Sequence, residues 1–428
     1  MEKKHIQVIG GGLYGCLTAY YLAKKHPNYQ IQIIEYGNHL LPAFDSIQLG
    51  QYKCNNGFHG IELPRASGLF DFLSKELEID IAKSKNFRGL FIKNYLVPFE
   101  AKTQKWPEEL QASFRVSAPY YFNHQTDLNE IIAEPLMSVL KKISTRYSND
   151  MNDVKGLLVP WFLPADFIIK TEDEGDIFRN SVRSGDITAF YAYPPSGLFE
   201  ELQEKMRIKL QETGVEILFN TKVFFEPSGS IKYQKLNSDE PLVLPVAESI
   251  FFCASPALIL KDINVSLFQT LIHNKRVLYN AIVEFEKDKN DSLFDYSEIL
   301  CAIDTAVNIS RLSFPKIKSD TDENKRYVQV ELFASPEDNI DMMKETLIEH
   351  INKMFDLKET GLAKCIDFKK TRDVFFPPSD INKQGLGALY DWINTHFGNK
   401  FKWRPVFAPI NMSKTWLWAQ ENAGKINS

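Results

Sequence analysis

Gly10, Gly12 and Gly15 stand at the spacing G-x-G-x-x-G near the start of the chain, and an acid, Glu35, closes the next apolar run. Residues of these types at this spacing can hold the pyrophosphate of a dinucleotide. Gly10 permits a tight turn, Gly12 lets the backbone approach phosphate oxygens, and Gly15 lets a helix pack close to a strand. Leu13 and Tyr14 lie where that helix opens, so their N–H groups and the positive end of the helix dipole would meet the phosphates. A carboxylate at Glu35 would accept hydrogen bonds from a ribose diol.

These residues can act together only if regular elements hold them. The apolar run Ile6 to Ile9 reads as a strand, Leu17 to Lys25 as a helix, and Ile31 to Ile34 as a second strand. The fingerprint therefore stands in the strand–turn–helix–strand context that separates a nucleotide site from a plain glycine-rich turn.

With 428 residues the chain can build two domains with their own cores. A net charge of −5 and a pI near 6.0 give no footprint for a nucleic-acid backbone. The 31 Phe and 17 Tyr serve either bulky core packing or a large apolar pocket for a flat ring system. Five cysteines, at 16, 54, 253, 301 and 365, are scattered and include no CxxC pair. Reduced thiols in a cytoplasmic protein are expected, not a disulfide framework. The histidines show no metal-ligand spacing, so no metal is expected. No apolar run is long enough to cross a bilayer, and the N-terminal strand runs straight into the glycine turn, so a core strand and not a signal peptide is expected there.

Further along, a helix is expected from Ser67 to Leu77, and short strands at Leu90 to Ile92 and Tyr95 to Pro98. Leu128, Ile131, Ile132, Leu136 and Leu140 carry helical spacing. Ser196 is placed to cap a helix with its apolar face at Leu198, Leu202, Met206 and Leu210, and Gly214 to stop it. A strand at Val215 to Phe219 and a hairpin-rich piece ending in Ser249 to Ala254 follow. Residues 276 to 333 read as antiparallel sheet. Ser335 and Pro336 would start a helix with the face Ile340, Met343, Leu347, Ile351 and Met354. A helix near Leu386 to Phe397, a strand at Pro405 to Ala408 and a helix after Ser413 complete the chain.

In this order the elements resemble the FAD-binding superfamily of flavin amine oxidases, protoporphyrinogen oxidase and UDP-galactopyranose mutase, nearest to the mutase-like flavoproteins. Four places carry the likeness beyond the fingerprint. Gly57-Phe58-His59 is similar to a turn that sets a histidine beside the flavin. Tyr193-Pro194-Pro195-Ser196-Gly197-Leu198 is similar to the turn that leads into a helix, and Asn220-Thr221-Lys222-Val223 follows in the same order. Ser310-Arg311-Leu312-Ser313-Phe314-Pro315 resembles an arginine-bearing strand of the substrate sheet. Arg404 with Asn411-Met412 resembles a segment whose arginine and helix start face the flavin and its phosphates.

The resemblance implies an α/β fold: a Rossmann-like FAD-binding domain with an interleaved mixed α+β substrate domain. The FAD-binding domain would be residues 1–85, 196–265 and 370–428, and the substrate domain 86–195 and 266–369. It implies non-covalent FAD held by Gly10, Gly12, Leu13, Tyr14, Gly15, Glu35, the backbone of Val223, Asn411 and Met412. It implies His59 and Arg404 as catalytic residues on the flavin's substrate side, and a small-molecule substrate. The chain also departs from the pattern. Trp403 replaces a glycine before Arg404, and the arginine often found after the second strand is missing from Tyr36 to Leu49. In Leu163-Pro164-Ala165-Asp166-Phe167, Asp166 stands where the mutases place an arginine on the sugar-nucleotide diphosphate.

Several residues also have plainer readings. Arg311, on a strand among Ile309, Leu312 and Phe314, is expected to face solvent, and Arg65 to lie near the next helix. Arg179 and Arg183, at i,i+4 spacing, would be ordinary surface charges unless they replace the charge lost at Asp166. Cys54 is expected to be a small buried residue, not a nucleophile or flavin link.

Two enzyme classes follow. One is an FAD-dependent oxidoreductase that takes a hydride from a small molecule onto flavin N5. The other is a mutase-like sugar-nucleotide isomerase using reduced FAD. Asp166 favours the first, because a carboxylate repels a diphosphate. A non-catalytic flavin-binding protein is the third reading.

Overall fold

The computed structural model describes the chain outside residues 1–2, 58–59, 86–87, 118, 123–126, 135, 148–161, 170–173, 239, 273–274, 287–295, 297, 303–307, 315–324, 358–361, 376–378, 404–411 and 427–428. Its fold is α/β. A five-stranded parallel sheet runs in the order Glu216–Leu218, Tyr29–Ile34, Lys4–Ile9, Ala247–Phe252, Phe401–Trp403. Both faces of this sheet are covered, so apolar residues fall at adjacent positions, as at Val8–Ile9, Ile33–Ile34 and Phe251–Phe252, and the glutamines that interrupt the two central strands, Gln7 and Gln32, are buried with hydrogen-bond partners. Ile6, Val8, Ile31 and Ile33 pack on one side with the helices Leu13–Lys25 and Glu200–Glu212. Ile9, Ile34, Ile250 and Phe252 pack on the other, with Phe225 and Tyr233 of a small antiparallel sheet and Leu389 and Ile393 of the helix Ser379–His396.

A second sheet has seven strands, ordered Lys364–Phe375, Lys275–Glu286, Lys325–Ala334, Asn308–Ser313, Glu298–Ala302, Arg88–Ile92, Tyr95–Pro98. All its pairs are antiparallel except Glu298–Ala302 with Arg88–Ile92. One face is apolar and buried under the helix Ile340–Met354. On the other face the alternate positions include Arg88, Asn280, Glu298, Gln329 and Glu331, all buried. The chain segments of the two sheets interleave. The strand Lys364–Phe375 stays paired with Lys275–Glu286 to its end, so the seven-stranded sheet continues past residue 370.

Two smaller elements among the described residues meet the seven-stranded sheet. The strands Ile61–Leu63, Phe190–Tyr193 and Ala82–Lys85 form a small antiparallel sheet. The hairpin Ser46–Leu49 and Tyr52–Asn55 reaches the edge of the large sheet, where Gly50 N–H donates to Asp367 (2.8 Å) and Lys369 Nζ to the Gln48 carbonyl (2.6 Å).

Local starts differ from the sequence reading in two places. Ser196 does not cap a helix; its Oγ accepts the Leu198 N–H in a turn, and the helix begins at Glu200 after Phe199. Ser335 is likewise displaced as a cap by Asn339, whose Oδ1 accepts the N–H groups of Asp341 and Met342. Ile340 then falls at the first helical position and is exposed, while Met343, Leu347, Ile351 and Met354 form the buried stripe. Gly214 has φ +80° directly after the helix end, a left-handed position that suits glycine. The expected strand at Pro405 to Ala408 lies outside the described residues; the observed strand there is Phe401–Trp403.

Candidate functional site

The chain leaves the central strand at Ile9 and turns at Gly10, whose φ is +106°. The turn is tied back by Gly10 N–H to the Ile34 carbonyl at 2.9 Å. A Cβ at Gly10 would sit 3.1 Å from Ala254 N, so the end of the neighbouring strand presses on the turn. Gly15 is sterically required: a Cβ there would lie 1.8 Å from the Gly10 carbonyl oxygen. Gly12 is the opposite case. No described heavy atom lies within 4 Å of the position its Cβ would take.

Gly12 is also the N-cap of the helix Leu13–Lys25, and no side chain caps that end or places an acid in its first turn. The N–H groups at Leu13 and Tyr14 therefore meet the open space before Gly12 with the positive dipole end behind them. Tyr14 offers only its backbone. Its side chain is buried, and its hydroxyl accepts a hydrogen bond from Asn422 Nδ2.

Glu35 closes the second strand beside this turn. Its Oε2 accepts the Gly11 N–H at 2.5 Å and its Oε1 the Gly37 N–H at 2.6 Å. Each carboxylate oxygen has a further lone pair for a ligand hydroxyl. Gly11 was not singled out by sequence spacing, yet a Cβ there would meet Leu40 Cδ2 at 2.7 Å and Glu35 Oε2 at 2.9 Å.

Val223 lies on the edge strand Thr221–Phe225. Thr221 N–H donates to the Glu35 carbonyl at 2.9 Å, and Phe225 N–H donates to Asp262 Oδ2 at 3.0 Å. Both point away from the partner strand Ile231–Lys235. Backbone groups alternate along a strand, so the N–H and C=O of Val223 also face this outer edge, between those two bonds.

Met412 opens the C-terminal helix Met412–Asn422. That helix is fixed by Trp416, whose ring would sit 2.2 Å from a Cβ at Gly68 and whose Nε1 donates to Tyr21 Oη at 2.9 Å. His59, Arg404 and Asn411 lie outside the described residues.

A buried ionic network sits where the small antiparallel sheet meets the polar face of the large one. Arg88 Nε donates to Glu298 Oε1 at 2.6 Å and to Tyr191 Oη at 2.8 Å, while its Nη2 lies 2.9 Å from Glu62 Oε1. Tyr191 Oη also donates to Glu298. Arg311 Nε lies 3.3 Å from Glu298 Oε2, and Arg65 Nη1 3.5 Å from Glu62 Oε2. Burial opposes the charge of Glu298, but Arg88 and Arg311 outweigh it and hold the carboxyl below its ordinary range. Arg311 and Arg65 are thus network members rather than solvent-facing charges. Sequence reasoning missed Arg88, Tyr191 and Glu298; an acid heading the apolar strand Glu298–Ala302 was the available signal.

The remaining candidates have local roles. Asp166 Oδ1 accepts both N–H and Oγ1–H of Thr103, at 2.9 and 2.8 Å. Its carboxylate caps the short turn Thr103–Lys105. Arg183 is buried, with its guanidinium 4.6 Å from the centre of the Phe99 ring, so it is not the surface charge expected. Arg179 shares its helix, Glu174–Ser184. Cys54 is buried in a cluster with Leu49, Tyr52 and Ile282, and burial pushes its thiol up to about 12, which removes it as a nucleophile. No helix among the described residues is long and apolar enough to cross a membrane.

Comparison with known proteins agrees with this geometry. A domain family described as an NAD(P)-binding Rossmann-like domain matches residues 8–75. No curated protein matches the sequence at a significant level. Among solved structures, a reduced UDP-galactopyranose mutase superposes with a TM-score of 0.67 at 12% identity, over 99% of this chain and 93% of that one. A protein from Exiguobacterium sp. 255-15, described as a candidate protoporphyrinogen oxidase, gives 0.62 at 11% identity, over 100% and 99%. Wild-type putrescine oxidase bound to putrescine gives 0.58 at 9% identity, over 99% of each chain. At such identities the likeness is one of fold, and it spans the whole chain. The chain shares the fold of these three proteins along its whole length.

Proposed function

We propose that the protein is an FAD-dependent oxidoreductase acting on a small molecule. The observation that carries this reading is the helix start behind Gly12, with no side-chain cap, no described atom in the space before it, and the Glu35 carboxylate bonded to the turn at Gly11. These groups suit the parts of a dinucleotide. Gly10, Gly12, Leu13, Tyr14 and Gly15 would hold the pyrophosphate, Glu35 a ribose diol, and the backbone of Val223 the adenine. Asn411 and Met412 would meet the flavin half from the start of the C-terminal helix, and His59 and Arg404 would line its substrate side.

FAD, when bound, supplies a hydride acceptor at N5. The chain's own contribution is to hold, orient and screen. The network of Arg65, Arg88 and Arg311 with Glu62 and Glu298, and with Glu331 beside Arg311, is balanced in formal charge and ties the small antiparallel sheet to the seven-stranded one. The isomerase reading lacks support at the position that would carry it. Asp166 is engaged with Thr103, and Arg183 lies against Phe99, so neither is an evident partner for a diphosphate.

The test is anaerobic mixing of the holoprotein with a panel of amines and other reduced small molecules, and separately with UDP-galactose after reduction. Bleaching of the visible flavin band by a member of the panel supports the oxidoreductase. Galactopyranose–furanose interconversion with no net redox change overturns it in favour of the isomerase.

A further inference from the structure

The geometry points to Tyr36 as the stacking wall for the adenine ring, a role that rests on the dinucleotide reading above. Tyr36 directly follows Glu35, and it is 62% exposed. Its backbone is nevertheless pinned on both sides. The Glu35 carbonyl accepts the Thr221 N–H and the Gly37 carbonyl accepts the Asn220 N–H, each at 2.9 Å. A large aromatic side chain on a fixed backbone, left in solvent at the carboxyl end of a central parallel strand, is placed where open α/β sheets take their ligands.

The second observation is the backbone edge at Val223. It opens about 7 Å along the strand from Thr221, the residue bonded to Glu35. Val223 and Tyr36 are thus each tied to Glu35, the one through Thr221 and the other through the chain, and the adenine would lie between them. The N–H and C=O of Val223 can meet the acceptor and amino donor on the edge of adenine. That contact fixes the base in its plane but leaves its faces in water. The Tyr36 ring supplies a face, at little entropic cost because its backbone is already held.

Edge and face are separable by experiment. Stacking is tolerant of base identity, because every base has a π-face, whereas the edge contact is not. The full-length apoprotein is titrated calorimetrically with ADP, GDP and FAD, as wild type, Tyr36→Phe and Tyr36→Ala. An exposed position leaves the fold intact, and unchanged thermal midpoints check this. Tyr36→Ala is expected to weaken ADP and GDP by the same factor, roughly tenfold, to weaken FAD likewise, and to keep the preference for ADP. Tyr36→Phe is expected to bind as wild type. Wild-type affinity for ADP in Tyr36→Ala overturns the stacking role while leaving the dinucleotide site standing. Failure of the wild type to bind either FAD or ADP overturns both.

Discussion

The Glu35 carboxylate reaches back across the glycine turn and accepts the Gly11 N–H at 2.5 Å, while its other oxygen holds the Gly37 N–H at 2.6 Å. One side chain thus ties the glycine turn to the loop after the second strand. Glu35→Ala is expected to lower FAD affinity by the worth of one or two charge-assisted hydrogen bonds, about 1.5–3 kcal/mol each. The two N–H groups also lose their partner, so the thermal midpoint should fall. Titration of the apoprotein decides: equal FAD affinity in variant and wild type removes Glu35 from the site.

Gly12 and Gly15 should separate binding from folding. A Cβ at Gly12 meets no described atom within 4 Å, so Gly12→Val should fold with little change and bind no dinucleotide. A Cβ at Gly15 would strike the Gly10 carbonyl, so Gly15→Ala should cost about 1–3 kcal/mol of stability through overpacking. Denaturant melts and FAD titration on both variants test this pair. A Gly12→Val protein that binds FAD normally would count against the pyrophosphate assignment.

Glu298 makes a pH prediction. Its carboxyl is held below the ordinary glutamate range in the folded protein by Arg88 and Arg311. A depressed folded value contributes stability that is present above the unfolded value and is lost as pH falls through the folded one. Glu298→Gln should therefore be less stable than wild type near neutrality, with the gap closing below about pH 4.3. Removing one partner of a buried ion pair costs about 3–5 kcal/mol. Melts across that window check the sign; a gap that widens on acidification would contradict it.

Asn339 should matter to the helix Ile340–Met354 where Ser335 does not. Asn339→Ala removes the observed cap and should cost about 1 kcal/mol. Ser335→Ala should stay within about 0.5 kcal/mol of wild type. Chemical denaturation of the two variants is sufficient, and the reverse order would restore Ser335 as the cap.

These cases also mark what the sequence could disclose. The glycine turn was legible because each glycine answers a local demand: a positive φ at Gly10, a contact at Gly15, open space at Gly12. The double-sided burial of the first sheet was legible where apolar residues stand side by side, at Val8–Ile9, Ile33–Ile34 and Phe251–Phe252. The cap at Asn339 was hidden because Ser335 and Pro336 offer an equally good local signal four residues earlier. The network around Arg88 was hidden because its members come from six strands and a turn far apart in the chain, and no local pattern announces their meeting. Asp166 was read through a short motif; its bond to Thr103 depends on a loop that the motif does not include.

The claim at the centre of the account is that this chain holds FAD. The most direct measurement is the visible spectrum of the purified full-length protein, before and after anaerobic dithionite, with mass spectrometry of the ligand released on denaturation. The account predicts a yellow protein whose flavin band bleaches on reduction and whose released ligand has the mass of FAD. A colourless protein that also takes up no FAD on reconstitution would contradict it.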